Sequence, residues 1–582
     1  MRKITRAMTA MAAAGVIALA GCSGGSGGSG GGGTGGGSGT GAPADGTGTQ
    51  INAKDRSELQ EGGTLKLSFG EMPPNWNPMN LEGNLVDVNN IMGFTMPGNW
   101  IYQPDGTFEI NKNFLESYDV TDATDDSPQV VTLKLNKDAK WNNGDPITWE
   151  DYAQTAIPCN GENASSDPKA TDAYICPSTD GWSEIASVEK GADEFEVKVT
   201  FKSAYPDWSS VLSGPMKKDS IIDVETFNKA WKTEAPNNDW MAGPFKIDKV
   251  DKAAQRIYMV PNENWWGDKP MLESVEWRGL KSDAIPNAFA NKEIDVVSYI
   301  IDANTYQTVL KRDDAEVRMG TGKQWRHYTF NSKAPVLSDV KVRQAIAMGL
   351  DRVQTTKSDL AGIDMIKPDE LVLGNHFFMP GQEGYVDNSV DTTPFDPEKA
   401  GALLDEAGWK LEDGKEYRTN EDGEELNVNY LAITGVATSE NEGKMMQDQM
   451  KKIGVKVTMV PSSSTEFFDK VYAGEFEVTT FTWQGTNYPM ANVDQIYGSK
   501  GGSNFAKLEI PKVDELVPQI AVEMDHQKRI DMTNEADKAI WEAVHTVPIY
   551  QRAELTAVPK NLANYGAFGL ASGKPEDIGF VK

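Results

Sequence analysis

The chain alternates between two spacings of apolar residues, and this alternation restricts it to folds in which helices pack on sheets. Apolar residues recur at every second position in VTLKL (131–135) and FEVKVTF (195–201), the pattern of half-buried strands. FDPEKAGALLDEAGW (395–409) instead predicts a helix that Asp396 caps, Pro397 begins and Gly408 ends. In MMQDQMKKIGVKVTMV (445–460) a helix leads through Gly454 directly into a strand. The sequence therefore predicts an α/β fold.

The N-terminus has the organisation of a secretory signal peptide, which we assign to residues 1–21. Arg2, Lys3 and Arg6 precede an uncharged, mostly apolar run from Ala7 to Ala20. This run is too short to remain in a bilayer as a spanning helix. The sequence Leu19-Ala20-Gly21-Cys22 resembles the bacterial lipobox, in which the cysteine is lipidated and becomes the first residue of the mature protein. An ordinary signal peptide with an incidental cysteine is the alternative.

A tract of Gly, Ser and Thr follows Cys22, and we assign residues 22–54 to the lipidated cysteine and a flexible tether. Such a composition buries too little apolar surface to fold. The protein is therefore expected at the extracellular face of a bacterial cell membrane, held by its lipid. The long tether favours a monoderm cell, which has no periplasm to retain an exported protein.

The charge of the chain argues against nucleic acid as a partner. The formal net charge is −30, and it becomes about −33 when the three basic residues of the signal peptide are removed. A surface this acidic repels phosphate backbones and anionic headgroups. Most of the carboxylates are expected to serve solubility.

Two cysteines, Cys159 and Cys176, remain after Cys22 is assigned to the lipid. In an exported chain such a pair predicts one disulfide. A free reactive thiol or a metal-binding pair is the alternative, although the sequence shows no further ligand nearby.

No catalytic or cofactor motif is apparent. The four histidines, His327, His376, His526 and His545, lie far apart, and neither a zinc motif nor a phosphate-binding loop is present. We therefore expect no metal, no cofactor and no enzymatic activity. Aromatic residues beside amides do stand out, as in Asn75-Trp76-Asn77, Asn99-Trp100 and WQGTNYP (483–489). These residue types suit a pocket for a polar organic ligand, and they equally suit core packing.

Several segments together resemble the peptide-binding class of ABC-transporter extracellular solute-binding proteins, family 5. The first is QVVTLKLNKDAKWNNGDPITWEDY (129–152), in which Asn143-Gly144 forms a tight turn and Thr148 with Asp151 resembles a capping box. Further segments follow in the family's order: AGPFKIDKV (242–250), NWWGDKPMLESVEWR (264–278), FANKEIDVV (289–297), FNSKAPVLSDVKVRQAIAMGLDR (330–352), FDPEKAGALLDEAGW (395–409) and MKKIGVKV (450–457).

The resemblance implies a two-lobed, periplasmic-binding-protein-like clamshell with an additional domain. Domain I would be discontinuous and comprise residues 55–98, 239–323 and 556–582. Domain II would comprise residues 99–238, and domain III residues 324–555. A ligand would bind between domains I and III, which close around it on a hinge.

The resemblance also implies a ligand site, for which we select eleven residues: Glu71, Met72, Trp76, Trp100, Trp483, Gln484, Gly485, Thr486, Asn487, Tyr488 and Tyr550. Peptide-binding members carry a Trp followed closely by an Asp that receives the α-ammonium of the ligand. Here Trp483 is followed by Thr486 or Asn487 at the matching position, and neither can be an anion. Glu71, in the loop after the first strand, is our candidate for the missing counter-charge.

The implied function is capture of short peptides and their delivery to the transmembrane subunits of an ABC permease by a monomeric, lipid-anchored receptor. An oligosaccharide receptor of the same family is the alternative, because tryptophans can stack on sugar rings. An extracellular hydrolase is a third hypothesis, without a supporting motif.

Overall fold

The computed structural model describes residues 48–124, 127–491 and 493–582. The predicted signal peptide, Cys22 and the tether up to residue 47 lie outside the described residues. Residues 48–54, which the sequence assigned to the tether, lie against the folded body. Gln50 exchanges two backbone hydrogen bonds with Ala567, and the carbonyl of Gly48 accepts from Thr321 at 2.7 Å. The composition of this segment therefore does not indicate the backbone hydrogen bonds that it makes with the folded body.

The described residues form strands and helices in alternation. The strands are β1 (Leu59–Gln60), β2 (Thr64–Phe69), β3 (Trp100–Tyr102), β4 (Phe108–Ile110), β5 (Leu115–Thr121), β6 (Val130–Leu135), β7 (Ala164–Ser165), β8 (Tyr174–Ile175), β9 (Ile185–Lys190), β10 (Glu196–Phe201), β11 (Phe245–Asp251), β12 (Arg256–Pro261), β13 (Ser274–Gly279), β14 (Ala315–Gly320), β15 (Gln324–Phe330), β16 (Asn427–Ile433), β17 (Lys456–Ser462), β18 (Val478–Gln484), β19 (Thr546–Gln551), β20 (Glu554–Pro559), β21 (Leu562–Ala563) and β22 (Gly579–Val581).

The α-helices are α1 (Val86–Met92), α2 (Trp149–Thr155), α3 (Val224–Lys229), α4 (Ile285–Ala290), α5 (Ala303–Val309), α6 (Val340–Gly349), α7 (Arg352–Asp359), α8 (Ser389–Thr392), α9 (Pro397–Glu406), α10 (Ala437–Lys451), α11 (Ser464–Ala473), α12 (Val493–Tyr497), α13 (Pro511–Val522) and α14 (His526–Ala543). In the part of the chain that the structure describes, no helix combines the length and apolar character needed to cross a membrane.

The first large sheet joins distant parts of the chain in the order β11-β12-β13-β2. Strand β2 lies parallel to β13, so that Thr64 stands beside Ser274. A small sheet, β1-β22-β21, adds the C-terminal strands. Leu67, Met259 and Leu562 are buried in one hydrophobic cluster. Three separate stretches of sequence therefore share this core.

The second large sheet, β5-β6-β10-β9, is antiparallel throughout. Its central strands β6 and β10 alternate buried and more exposed residues, which confirms the predicted strands. Helix α2 begins at the predicted capping box of Thr148 and Asp151. In the connection that follows, Cys159 and Cys176 are joined in a disulfide.

The third large sheet has five strands in the order β17-β16-β18-β15-β19 and packs against helices that include α7 and α10. The predicted unit of α10, Gly454 and β17 is present, and Gly454 adopts a φ of 77°. Helix α9 begins as predicted, because the Asp396 side chain accepts the backbone N–H of Lys399. These two local predictions are confirmed.

Two connections join the five-stranded sheet to the β14–β20 pair, and they run side by side. The Gln551 side chain donates to the carbonyl of Gly322 at 2.5 Å, and the backbone N–H of Arg552 donates to the carbonyl of Gln324 at 2.8 Å. A Cβ atom on Gly322 would lie 1.7 Å from the Arg552 carbonyl oxygen, so only glycine fits there. The chain thus crosses between the five-stranded sheet and the β14–β20 pair through two adjacent, closely packed connections.

Candidate functional site

A cavity of about 120 Å³ lies where the end of β18 meets the connection between β14 and β15. Aromatic, amide and aliphatic side chains line it, together with one lysine and one histidine: Lys323, Trp325, His376, Phe377, Met379, Gln382, Trp483, Gln484, Gly485, Thr486, Tyr488, Pro489, Gln495, Ile496, Tyr497 and Leu570. Leu570 comes from the C-terminal segment, and the other residues come from positions 323–497. The combination of apolar walls and a few polar groups is typical of a site for an organic ligand.

Trp483 is held in one orientation by its neighbours. Its ring stacks with Phe505 at a centroid distance of 5.9 Å and an interplanar angle of 4°, and with His327 at 5.9 Å and 8°. In the sheet it stands opposite Trp325, so two indoles lie side by side on neighbouring strands. The buried indole N–H of Trp483 makes no hydrogen bond among the described residues. A ligand acceptor in the cavity would satisfy this donor.

The loop after β18 passes close to the connection between β14 and β15. The backbone N–H of Gly485 donates to the carbonyl of Lys323 at 2.7 Å. A Cβ atom on Gly485 would lie 3.2 Å from that oxygen and 3.3 Å from the Trp325 ring, so a larger residue would press on both. Glycine thus lets the loop approach the cavity wall.

The same loop contacts the opposite side of the cavity. The side-chain amide of Asn487 donates to the carbonyl of Leu570 at 2.8 Å. The hydroxyl of Tyr488 lies 3.0 Å from the hydroxyls of both Tyr102, on β3, and Ser209. Burial raises the pKa of Tyr488 and of Tyr102 above the ordinary tyrosine value, so both hydroxyls stay protonated at neutral pH. The loop therefore bridges the two sides through neutral hydrogen bonds.

Two cationic or potentially cationic side chains belong to the lining. Lys323 is half-buried, and this burial lowers the pKa of its ammonium. The ring nitrogens of His376 face two acceptors, the Asp537 carboxylate at 2.7 Å from Nδ1 and the Thr546 carbonyl at 3.2 Å from Nε2. The His376 ring is thus hydrogen-bonded within the protein, whereas the ammonium of Lys323 has no such partner among the described residues.

The structure brings together five of the residues that the sequence selected: Trp483, Gln484, Gly485, Thr486 and Tyr488 line the cavity. Asn487 lies between them and bonds across it to Leu570. Glu71 lies in the loop after β2, as expected, and its side chain is exposed. Met72 packs against the core of the first sheet.

The three other selected aromatic residues lie in cores. Trp76 is 1% exposed, packs under the first sheet and donates its indole N–H to the Thr233 carbonyl. Trp100 is buried beside Trp208 in the core of the second sheet. Tyr550 is buried in the core of the five-stranded sheet. Burial of large rings contributes much of the stability of such cores, which accounts for these placements.

Sequence reasoning missed several lining residues, among them Lys323, Trp325, Phe377, Met379 and Leu570. No local motif marks them. They reach the cavity because β15 pairs with β18 and because the C-terminal segment lies against the loop after β18. An earlier indication would have required knowledge of these long-range pairings.

Comparison with known proteins identifies the family. Residues 110–505 match the family model described as "Bacterial extracellular solute-binding proteins, family 5 Middle". The oligopeptide-binding protein OppA of Mycobacterium tuberculosis (strain ATCC 25618 / H37Rv) is 33% identical over 545 residues, which cover 93% of this chain and 88% of that protein.

Solved structures agree on the fold. The periplasmic EDTA-binding protein EppA matches with a TM-score of 0.80 at 22% identity, over 91% of this chain and 98% of that one. The oligopeptide-binding protein AppA of Bacillus subtilis, solved in complex with a nonapeptide, matches with a TM-score of 0.67 at 18% identity, over 90% of this chain and all (100%) of that one. The chain belongs to the bacterial extracellular solute-binding proteins of family 5 and has their multidomain clamshell fold.

Proposed function

We propose that this protein is a lipid-anchored extracellular receptor that captures short peptides between its lobes and delivers them to the permease of an ABC importer. The observation that carries the proposal is the cavity where the loop after β18 faces Leu570, with Tyr488 bonded across to Tyr102 and Ser209. Family membership and the oligopeptide-binding relatives support peptides as the ligand class.

In this proposal the two connections around Gly322 and Arg552 act as a hinge between domain I and domain III, with the boundaries given above. Two short, adjacent connections permit rotation of one lobe against the other. A ligand that contacts both lobes binds the closed arrangement more tightly and so shifts the population toward it. The permease would then recognise the closed form of the monomer.

We assign ligand contacts to Trp483, Gln484, Gly485, Thr486 and Tyr488 of the lining, with Glu71 as counter-charge to a ligand ammonium. Exposed backbone groups of the loop would pair with the peptide main chain, which gives affinity without strict sequence selection. The unpartnered indole N–H of Trp483 would donate to a carbonyl of the ligand.

Ligand class is tested by native mass spectrometry and calorimetry of the mature protein against peptide and glycan libraries. Peptides are expected to bind stoichiometrically and to be recovered uncleaved. Binding of glycans alone would favour an oligosaccharide receptor. Turnover of either library would indicate a hydrolase and contradict the proposal.

The anchor is tested separately by the Cys22→Ala variant in the native host, followed by membrane fractionation. Wild-type protein is expected in the membrane fraction, because two acyl chains hold a protein stably. The variant should be released or accumulate as a precursor. A variant that is processed normally and stays with the membrane would contradict lipidation at Cys22.

A further inference from the structure

Lys323 is a half-buried cation of the cavity lining that makes no direct ion pair with the described residues. It belongs to the short connection between β14 and β15 and forms part of the lining. Among the described residues its ammonium has no hydrogen bond and no carboxylate within 4.0 Å. Such isolation is unexpected in a chain with 86 acidic and 56 basic residues, where a carboxylate is easily placed beside a lysine.

The acidic group that interacts with Lys323 at longer range is already engaged. Glu554, at the start of β20, accepts the backbone N–H of Gly569 at 2.7 Å and a second one from Phe568. Its attraction to Lys323 only partly offsets the burial that lowers the pKa of the lysine. Glu554 therefore stabilises the C-terminal segment and compensates the charge of Lys323 in part, without a direct contact to its ammonium among the described residues.

The remaining described residues of the lining supply no anion. Its polar members are amides, hydroxyls and the His376 ring, and its other members are aromatic or aliphatic. Burying an ammonium without a counter-charge costs stability. The ammonium of Lys323 thus has only the partial, longer-range compensation of Glu554, and a ligand carboxylate would supply the direct contact that the lining lacks.

We propose that Lys323 binds a carboxylate of the ligand and is a specificity-determining residue of this receptor. The inference rests on the proposed function and extends it to the charge of the ligand. The carboxylate could be the C-terminus of a peptide or an acidic side chain. Because Lys323 lies on the proposed hinge, the bound anion would also stabilise the closed arrangement.

The test compares matched peptides that differ in one carboxylate, by calorimetry. One pair has a free or an amidated C-terminus, and the other has Glu or Gln at an internal position. The proteins are wild type, Lys323→Met, Lys323→Arg and Lys444→Met, the last of which removes an exposed lysine on α10 as a control. Wild type is expected to prefer at least one charged peptide by about tenfold or more, as for a hydrogen bond to a charged group.

In Lys323→Met this preference should disappear, while the affinity for the neutral peptide changes less than about threefold. Lys323→Arg should keep most of the preference, and Lys444→Met should behave as wild type. The peptide pair whose charge preference is lost in Lys323→Met identifies the source of the carboxylate. Equal losses for charged and neutral peptides in Lys323→Met would overturn the inference.

Thermal unfolding separates a ligand contact from a structural role. Lys323→Met removes both the cost of burying the ammonium and its attraction to Glu554, so the Tm should stay close to that of wild type. A lower Tm in both Lys323→Met and Lys323→Arg would indicate a packing role and overturn the inference.

A second ligand series distinguishes this inference from the peptide function. EDTA and simple dicarboxylates are titrated into wild type and Lys323→Met. If no peptide binds but a carboxylate compound binds only when Lys323 is present, the peptide function fails and the inference stands. If neither series shows binding that depends on ligand charge, the inference is overturned.

Discussion

The guanidinium of Arg529, on α14, pairs with the carboxylate of Asp207 through two parallel hydrogen bonds, of which Nη1 to Oδ1 is 2.9 Å. Both side chains are buried. The Arg529 side chain is also held by the neighbouring helix α13, because its Nε donates to the Ile520 carbonyl at 2.9 Å. The pair therefore ties α14 to the segment that follows β10 and, with Tyr488, joins the two sides of the cavity.

Asp207→Asn should favour the open arrangement. Loss of one partner of a buried pair leaves the other charge uncompensated, at a cost of about 3–5 kcal/mol. The lobes can avoid this cost by separating, so we expect a larger radius of gyration by small-angle scattering and at least about tenfold weaker ligand binding. Asp219→Asn, at an exposed position, serves as the control. An unchanged radius and affinity would show that the pair does not contribute to closure.

Tyr488→Phe should weaken closure by a smaller amount. The change removes the hydroxyl that bonds to Tyr102 and Ser209 and keeps the ring in the cavity. A hydrogen bond of this kind contributes about 1 kcal/mol, so we expect about fivefold weaker binding by calorimetry. Tyr102→Phe should have a smaller effect, because Tyr488 then keeps its bond to Ser209. If Tyr488→Phe and Tyr102→Phe weakened binding equally, the bond from Tyr488 to Ser209 would not contribute to closure.

The local elements could be predicted from the sequence because their determinants are contiguous. Helix α9 needs only its cap at Asp396, Pro397 in the first turn and an apolar face. The cavity could not be predicted in this way. Trp76 and Trp483 both stand near amides in the sequence, yet Trp76 is buried in a core and Trp483 lines the cavity. Whether each tryptophan lies in a core or in the cavity depends on strand pairings between distant segments.

The amides beside Trp76 illustrate the same limit. Asn77 donates its side-chain amide to the Phe227 carbonyl at 3.2 Å and so satisfies a buried backbone group. Its residue type fits a ligand site equally well. Lys323 shows the opposite case, since no local pattern marks it and only the fold brings it to the cavity.

Asp359, at the end of α7, should contribute less to stability as the pH rises. Burial and the negative charge of Glu442 raise the pKa of Asp359 to about 8. Glu442 itself is paired with Arg326, whose Nε lies 2.7 Å from Oε1. In the unfolded chain an aspartate has a pKa of about 3.9. In the folded state Asp359 therefore holds its proton between about pH 4 and 8, and the contribution of this group to the free energy of unfolding decreases across this range.

Asp359→Asn should remove this contribution, because the amide does not titrate and its oxygen can still accept from Asn441. The Tm measured from pH 5 to pH 9 should fall less steeply in the variant than in wild type. Asp364→Asn, at an exposed position nearby, is the control and should retain the wild-type slope. Parallel Tm curves for wild type and Asp359→Asn would contradict the raised pKa.

Recognition of the ligand N-terminus should depend on Glu71. Asn487, at one of the two positions where peptide-binding relatives were expected to carry an aspartate, donates its amide to the Leu570 carbonyl and offers no negative charge. Glu71 is exposed in the loop after β2, whose backbone N–H groups bond to Asp87. Its carboxylate is therefore free to meet an ammonium that a closing lobe brings to it.

We expect wild type to bind a peptide with a free N-terminus about tenfold more tightly than its acetylated form, by calorimetry. Glu71→Gln should bind both forms equally, and Glu61→Gln, at another exposed position, should behave as wild type. This experiment concerns the opposite charge of the ligand from that tested with Lys323, so the two results are independent. Equal binding of both forms by wild type would reject a role of Glu71 and favour ligands without a free amine, such as N-blocked peptides or glycans.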